Sequence, residues 1–242
     1  MPAVAVPASI TELTARAAEL GGTTLAHLAG RLGVPLPASQ LRHKGWVGGL
    51  LELALGAQSG SRPEPDFAHL GVELKSLPLN GLGRPRESTY ICVAALDGRA
   101  QSWETSLVRQ KLACVLWVPV EAAQSIPLAE RHIGTPFLWR PSPAQELQLR
   151  NDWEEIMESV AVGQLDQLSA RQGRWLQLRP KAANARARTP GFADDGSPAA
   201  ILPRGFYLRS VFTAQILARR GHTQSAATGA FLQGEVLGSL AW

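Results

Sequence analysis

Two acidic residues and one lysine lie close together near position 70 of the chain. Asp66, Glu73 and Lys75 form the pattern D-x6-E-x-K. Glu73 and Lys75, two residues apart, project from the same face of a β-strand, and Asp66 can fold back beside them from the preceding loop. Two carboxylates about 4 Å apart repel by roughly 4 kcal/mol at an effective dielectric of about 20. Such a site must hold a proton or a cation.

The cation that suits this pattern is Mg²⁺. Oxygen ligands that leave positions to water and phosphate favour Mg²⁺, and the chain has no Cys/His cluster with the spacing of a zinc site. A surface salt bridge is the alternative interpretation of the same three residues. Glu52 favours the metal site, because a carboxylate among the leucines of WVGGLLELAL is costly to bury unless it meets a cation or a donor. The alternative for Glu52 is a solvent-facing position.

The elements that must position these residues are a helix, a loop and a strand. Trp46 to Leu55 is predicted to be a helix that Gly56 ends. A loop rich in Ser, Gly and Pro follows, and the segment HLGVELKSLPL is predicted to be a strand with Val72 and Leu74 on the face opposite to Glu73 and Lys75.

The remaining segments alternate between helical and extended patterns. Helices are predicted from Ser9 to about Leu20, over LAHLAGRL up to Gly33, from Ser142 onward for several turns, and from Ser210 to Arg220. Strands are predicted at Tyr90–Leu96, Ala113–Val120 and Trp175–Arg179, and a short strand or hairpin at Ile201–Arg209. A helix or loop is predicted at Trp103–Lys111, and a polar loop over 181–198. These elements predict a mixed sheet in an α/β fold.

Composition indicates a protein of the cytoplasm. With 242 residues, 45% of them hydrophobic, the chain can form one sizeable core or two lobes. Cys92 and Cys114 lie in apolar stretches and are interpreted as core thiols. No apolar run approaches the roughly 18 residues that a membrane span needs, and the N-terminus has no signal-peptide pattern. We therefore expect a soluble protein with no membrane association.

The basic residues permit a polyanionic partner. The net charge of +4 is too small to require one. Of the 24 lysines and arginines, only Lys44, Lys75, Lys111 and Lys181 are lysine. A chain this rich in arginine is expected to keep lysine where a compact ammonium is needed, so all four are candidate site residues. Chance scatter is the alternative.

Several longer blocks resemble the MutH family of the PD-(D/E)XK restriction-endonuclease superfamily. They include HKGWVGGLLELALGA, SGSRPEPDFAHLGVELKSLP, LGRPRESTYICVA, SWETSLVRQKL, LQLRPKAANA and LPRGFYL, and the resemblance spans roughly residues 8 to 220. It implies a restriction-endonuclease-like mixed sheet flanked by helices, with two lobes that form a DNA-binding cleft. It also implies one domain over residues 1–220, followed by a tail over 221–242.

The resemblance implies an activity and its partners. Members nick the unmethylated strand of double-stranded DNA at hemimethylated GATC sites, and MutL activates them after MutS finds a mismatch. The resemblance implies a monomer that uses Mg²⁺. Mn²⁺ is expected to be able to replace Mg²⁺, and Ca²⁺ is expected to be an inert substitute.

The resemblance also implies the roles of the active-site residues. Asp66 and Glu73, with the carbonyl of Leu74, would hold the metal, and Glu52 would support the site from its helix. Lys75 would orient or deprotonate the attacking water. Lys111 matches a second active-site lysine that could contact the scissile phosphate.

Four further residues match positions of the family that face DNA. They are Lys44, Arg179, Lys181 and Tyr207. Arginine suits the acceptor edge of guanine, and a Tyr ring against adenine could sense an added methyl group. The alternatives are that Tyr207 belongs to the core and that Arg179 only neutralises phosphate.

Two other functions are compatible with the sequence. The chain could be a type II restriction endonuclease of the same superfamily that cuts both strands as a dimer, or a DNA-binding module without catalysis. Intact Asp66, Glu73 and Lys75 disfavour the second, because closely spaced acids repel phosphate.

Overall fold

The computed structural model describes residues 4–37, 45–60, 62–96, 101–162, 172–181, 186–192 and 197–225. The helices within these ranges are α1 (Ile10–Ala18), α2 (Leu25–Leu32), α3 (Trp46–Leu55), α4 (Leu107–Leu112), α5 (Pro143–Ala161) and α6 (Ser210–Ser225). The strands are β1 (Glu73–Leu79), β2 (Thr89–Val93), β3 (Val115–Glu121), β4 (Phe137–Trp139), β5 (Leu176–Pro180), β6 (Thr189–Phe192), β7 (Pro198–Ile201) and β8 (Arg204–Leu208).

The strands form three small sheets. In the first, of order β1-β3-β4, β1 is parallel to β3 and β4 is antiparallel to it. In the second, of order β2-β8-β5, both pairs are antiparallel, and β6 and β7 form a separate hairpin. Helices flank these sheets, which confirms the predicted restriction-endonuclease-like mixed α/β fold.

Strand β3 separates two hydrophobic cores. Successive side chains of a strand point to opposite faces, and β3 is buried on both. Val115 and Trp117 pack into one core with α4, α5, α6 and the second sheet, whereas Leu116 and Val118 pack into the other core with α1, α2 and α3. The first sheet therefore stands between the two cores.

Strand β1 lies beside β3 and has the same two-sided environment. Leu74 belongs to the core that contains α3, and Leu77 belongs to the core that contains α4 and α5. Glu73 and Lys75 share the face of Leu77, and they are paired in register with Val115 and Trp117. The predicted alternation along β1 therefore directs both charged side chains to one side of the sheet.

The end of helix α3 is fixed by a glycine. Gly56 has a φ of 77°, and a Cβ there would lie 2.6 Å from the carbonyl oxygen of Ala5. Only glycine fits both the left-handed backbone and the close approach of the N-terminal segment. Gly56 therefore ends the helix that carries Glu52, as the sequence predicted.

Four predicted boundaries are wrong. The strand predicted at Tyr90–Leu96 ends at Val93. The strand over HLGVELKSLPL begins only at Glu73, because residues 68–70 form a 3₁₀ turn that Gly71 closes with a φ of 63°. The predicted loop over 181–198 contains β6 and the start of β7, whose backbone pairing outweighs the weak strand signal of Pro190 and Gly191. Helix α6 continues to Ser225 rather than ending at Arg220. The residues after Ser225 lie outside the described ranges.

The short strand β4 was not predicted from the sequence. Its three residues are too few for a periodic pattern, and it is defined by its pairing with β3. Cys92 and Cys114 are buried free thiols, as predicted. In the described ranges, no helix has the length and apolarity needed to cross a membrane.

A buried aspartate joins helix α5 to strand β5. Asp152 is 2% exposed, and its carboxylate accepts hydrogen bonds from the backbone N–H groups of Arg174, Trp175 and Leu176 at 2.7–2.9 Å. It also accepts a bond from the side chain of Gln148. One carboxylate thus satisfies three backbone donors at the start of β5, which is the strand that carries Arg179.

We predict that Asp152→Asn destabilises the fold. Either orientation of the amide sets an NH₂ group against backbone donors, and each lost bond to a charged acceptor is worth about 1.5–3 kcal/mol. The free energy of unfolding in urea should fall by about 3 kcal/mol or more. Glu155→Gln, on the exposed side of the same helix, should change it by less than about 0.5 kcal/mol. Equal stability of the two variants would contradict this role of Asp152.

Candidate active site

Glu73 is the buried centre of the site. It opens β1, its side chain is 1% exposed, and its N–H donates to the carbonyl of Cys114. Its Oε2 lies 2.8 Å from Nζ of Lys111, and its Oε1 lies 2.6 Å from Nζ of Lys75. A buried carboxylate is tolerated only when it is paired, and two ammonium groups from different elements pair with this one.

Asp66 folds back onto the start of β1, as its position before the strand predicted. Its Oδ2 accepts a hydrogen bond of 2.8 Å from the N–H of Leu74, and its Oδ1 accepts one of 3.0 Å from the hydroxyl of Ser59. The carboxylate is therefore oriented by the strand on one side and by its own loop on the other.

Lys111 brings a third element to the site. It lies on α4, a helix that Ser106 caps by accepting a hydrogen bond from the N–H of Arg109. Its ammonium donates to Glu73 and also to the carbonyl oxygen of Glu64, each at 2.8 Å. Lys111 is itself only 8% exposed, so its charge is compensated almost entirely within the protein.

Glu52 faces the same group of charges from helix α3. Burial raises the pKa of Glu52, and the charge of Asp66 raises it further, while Lys75 acts in the opposite direction. Glu73 and Lys111 also act on it. Glu52 is half-buried rather than freely solvated.

The donor set fits a hard divalent cation. The side chains that meet here offer carboxylate oxygens without a thiolate or imidazole, which suits Mg²⁺. Oε1 of Glu73 is buried and accepts no hydrogen bond, although Nζ of Lys75 forms an ion pair with it at 2.6 Å. Within the described residues, no group of three or more His, Cys, Asp or Glu side chains stands ready to hold a metal. The two lysines occupy the position beside Glu73 that a metal would share.

A cluster of aromatic and basic side chains covers one face of the second sheet. The rings of Tyr90 and Tyr207, on the paired strands β2 and β8, meet edge to face with centroids 5.3 Å apart. The Cζ of Arg179 lies 5.6 Å from the centroid of the Tyr207 ring, and Nζ of Lys181 lies 4.4 Å from that of Tyr90. We call these four residues the aromatic–basic cluster.

Tyr207 is not a core residue. It alternates along β8 with Phe206 and Leu208, which are buried in the core of the second sheet, whereas Tyr207 is half-buried on the opposite face. Arg179 and Lys181 are exposed on that face. The side chains expected to meet DNA are therefore together, except that Lys44 lies outside the described residues.

Tyr90, a member of the aromatic–basic cluster, and Gly205, which lies beneath its ring, were not identified from the sequence. Tyr90 was interpreted only as part of an apolar strand. Burial raises the pKa of Tyr90 to about 12, and Cys92, Tyr207 and Glu73 also contribute to this shift. Helix α4, which carries Lys111, contacts β2, which carries Tyr90. A Cβ on Gly205 would lie 2.8 Å from the Tyr90 ring, so glycine lets the ring lie across β8. This contact follows from the pairing of β2 with β8 and has no signal in the local sequence.

Comparison with known proteins identifies the family. Residues 55–152, which include Asp66, Glu73, Lys75 and Lys111, match the family model of the DNA mismatch repair enzyme MutH. The DNA mismatch repair proteins MutH of Salmonella typhimurium, Salmonella newport and Salmonella paratyphi C are each 54% identical to this chain over 219 residues. The match covers 90% of this chain and 95% of each relative. The chain therefore belongs to the MutH family of DNA mismatch repair enzymes.

Proposed function

We propose that this mismatch repair endonuclease nicks the unmethylated strand of double-stranded DNA at hemimethylated GATC sites by metal-dependent hydrolysis. The observation that carries the proposal is the convergence of Asp66, Glu73 and Lys75 at the start of β1. The aromatic–basic cluster on the second sheet accompanies it. The first three residues supply what phosphodiester hydrolysis needs. The cluster supplies groups that can bind the backbone and bases of a duplex.

Mg²⁺ is the proposed cofactor. Asp66 and Glu73 would hold it with the carbonyl oxygen of Leu74, and Glu52 would support the site from α3. A divalent cation bound there lowers the pKa of a water ligand and offsets the charge that develops on the phosphoryl oxygens. To hold the cation, the carboxylates would exchange part of their contact with the lysines, including the ion pair between Oε1 of Glu73 and Lys75.

Lys75 is the proposed partner of the attacking water. Its side chain is 18% exposed, compared with 10% for Lys111, so it is the ammonium with more access to a substrate. As an ammonium on a flexible stem, Lys75 can orient the water and offset negative charge on the transition state. It can accept the proton of the water only in its neutral amine form. These are tasks that a guanidinium performs less well at a crowded metal site.

The aromatic–basic cluster is the proposed reader of the target sequence. Arg179 can donate to the acceptor edge of guanine, while Lys181 neutralises phosphate. Tyr207 can press against adenine and clash with an added methyl group. A single methyl group is worth only about 1–3 kcal/mol in a pocket, so strong strand preference requires that the methyl also displace a polar contact.

The regulation and the assembly are further parts of the proposal. We infer that the enzyme acts as a monomer in the cytoplasm, where MutL activates it once MutS has found a mismatch. One active site cleaves one strand, which suits a nickase. A type II restriction endonuclease of the same superfamily would instead cut both strands as a dimer.

Plasmid cleavage tests this assignment. Supercoiled plasmid with unmethylated GATC sites should be converted to open circles, and MutL should increase the rate. Lys75→Ala and Asp66→Ala should each reduce nicking by about 100-fold or more, because each removes a group that acts on the transition state. DNA binding should fall by less than threefold. Glu19→Ala, an exposed acid distant from the site in the chain, is the matched control and should nick normally.

The outcomes separate the alternatives. Linear product without an open-circle phase would indicate a restriction endonuclease. Full nicking by either site variant would contradict the catalytic roles.

Metal removal gives a second prediction. EDTA should abolish nicking, and Mg²⁺ or Mn²⁺ should restore it. Ca²⁺ should support DNA binding without turnover, because it fills an oxygen site but tolerates looser geometry. The measurement is open-circle formation alongside a gel-shift titration under each condition. Nicking that persists in EDTA after dialysis would rule out the proposed metal site.

Tyr207 provides the third prediction. Tyr207→Ala removes the ring that would contact the methyl group, so the ratio of nicking rates on unmethylated and methylated strands should fall about tenfold, within the range expected for one methyl contact. Gln215→Ala, exposed on α6, is the control. An unchanged ratio in the Tyr207 variant would exclude the ring as the methyl sensor.

A further inference from the structure

We propose that Lys111 is a positioning residue, whose ammonium fixes the loop that carries Asp66 against Glu73, and that it does not contact the scissile phosphate. This inference rests on the proposed function, since it assigns a task within the same site. It departs from the expectation that the family resemblance gave for this lysine.

The ammonium of Lys111 already has two hydrogen-bond acceptors within the protein. Two of its three N–H donors are directed at Oε2 of Glu73 and at the carbonyl oxygen of Glu64, both at 2.8 Å. The side chain is 10% exposed, and it is surrounded on α4 by the buried residues Val108 and Leu112. A phosphate that drew the ammonium away would leave the carbonyl oxygen of Glu64 without this donor.

The second argument is how the Asp66 loop is held. Within the loop, Arg62 donates to the carbonyl oxygens of Gln58 and Ser59, and Ser59 donates to Asp66. These bonds give the loop its shape but do not attach it to the sheet. Lys111 attaches it through Glu64, two residues before Asp66, while the N–H of Leu74 holds the Asp66 carboxylate itself.

The ammonium of Lys111 therefore links strand β1 to the Asp66 loop. The ammonium of Lys111 contacts Glu73 on β1 and the backbone of the Asp66 loop at the same time. The loop is also held next to Asp66, where Phe67 and Val72 exchange two backbone hydrogen bonds and Phe67 is buried. Lys111 adds the attachment at Glu64 and joins it to Glu73. A cation that needs both would lose affinity if the loop were free to move away from β1.

Lys75 provides the internal comparison. It pairs with the other oxygen of Glu73 at 2.6 Å, and none of its described bonds reaches the Asp66 loop. The two lysines thus make similar contacts with Glu73 and differ in the loop contact. The bridge also explains why position 111 is lysine in an arginine-rich chain. A compact ammonium on a long stem can reach two acceptors in a closed space.

Hydrogen exchange in the metal-free, DNA-free protein tests the bridge. The amide of Leu74 reports whether Asp66 stays in place, because that amide donates to Asp66. Lys111→Met, which keeps the stem and removes the charge, should speed exchange of the Leu74 amide by about tenfold or more through local opening. Lys75→Met should leave it within about twofold of the wild type. Unchanged exchange in Lys111→Met would overturn the proposal.

DNA binding distinguishes positioning from phosphate contact. Lys111→Met should keep the affinity for a GATC duplex in metal-free buffer within about threefold, and the slope of log K against log salt should not change. Its nicking rate should fall through kcat and through a higher Mg²⁺ requirement. If Lys111 contacts phosphate, the salt slope should instead fall by about one, which would also overturn the proposal.

Folding is controlled with far-UV circular dichroism and a second variant. Lys111→Gln retains a donor on a shorter stem, so its Leu74 exchange should also be faster than wild type but less so than in Lys111→Met. If Lys111→Met fails to fold, Lys111→Gln serves as the test. Exchange of the Leu74 amide at the wild-type rate in folded Lys111→Gln would refute the bridge. Since neither exchange nor salt slope requires turnover, failure here is distinct from a failure of the nuclease assignment.

Discussion

The active site depends on keeping one carboxylate charged in the interior. Glu73 is 1% exposed at the start of β1, where an unpaired negative charge would cost several kcal/mol. The fold meets this cost by bringing two ammonium groups from different elements to its two oxygens. Helix α4, strand β1 and the Asp66 loop must therefore all be in place together, and the site exists only in the fully folded protein.

The two-core architecture supplies the rigidity that this pairing needs. Strand β3 is buried on both faces and fixes the register of β1. Glu73 consequently lies at the start of a strand that separates the core with α3 from the core with α4. The second sheet, held to α5 by Asp152, displays Tyr207 and Arg179, and its strand β2 contacts α4, the helix of Lys111. Chemistry and the proposed base recognition thus share one framework.

Much of this arrangement could be predicted from local patterns. Period-two alternation set Glu73 and Lys75 on one face of a strand, and the glycine at position 56 defined the helix of Glu52. The roles of Lys111 and Tyr90 could not be predicted from spacing, because they follow from contacts between segments far apart in the chain. The hairpin of β6 and β7 was missed for the same reason: its strands contain Pro and Gly, and only their mutual pairing makes them extended.

The central claim is that the acidic groups around Glu73 hold a divalent cation against a phosphodiester of bound DNA. A crystal structure of the enzyme with a hemimethylated GATC duplex and Ca²⁺ tests it most directly. We expect an ion with oxygens of Asp66 and Glu73 at about 2.3–2.6 Å, the scissile phosphate beside Lys75, and Tyr207 against the base pairs. A duplex bound elsewhere, or an ion that contacts neither carboxylate, would contradict it.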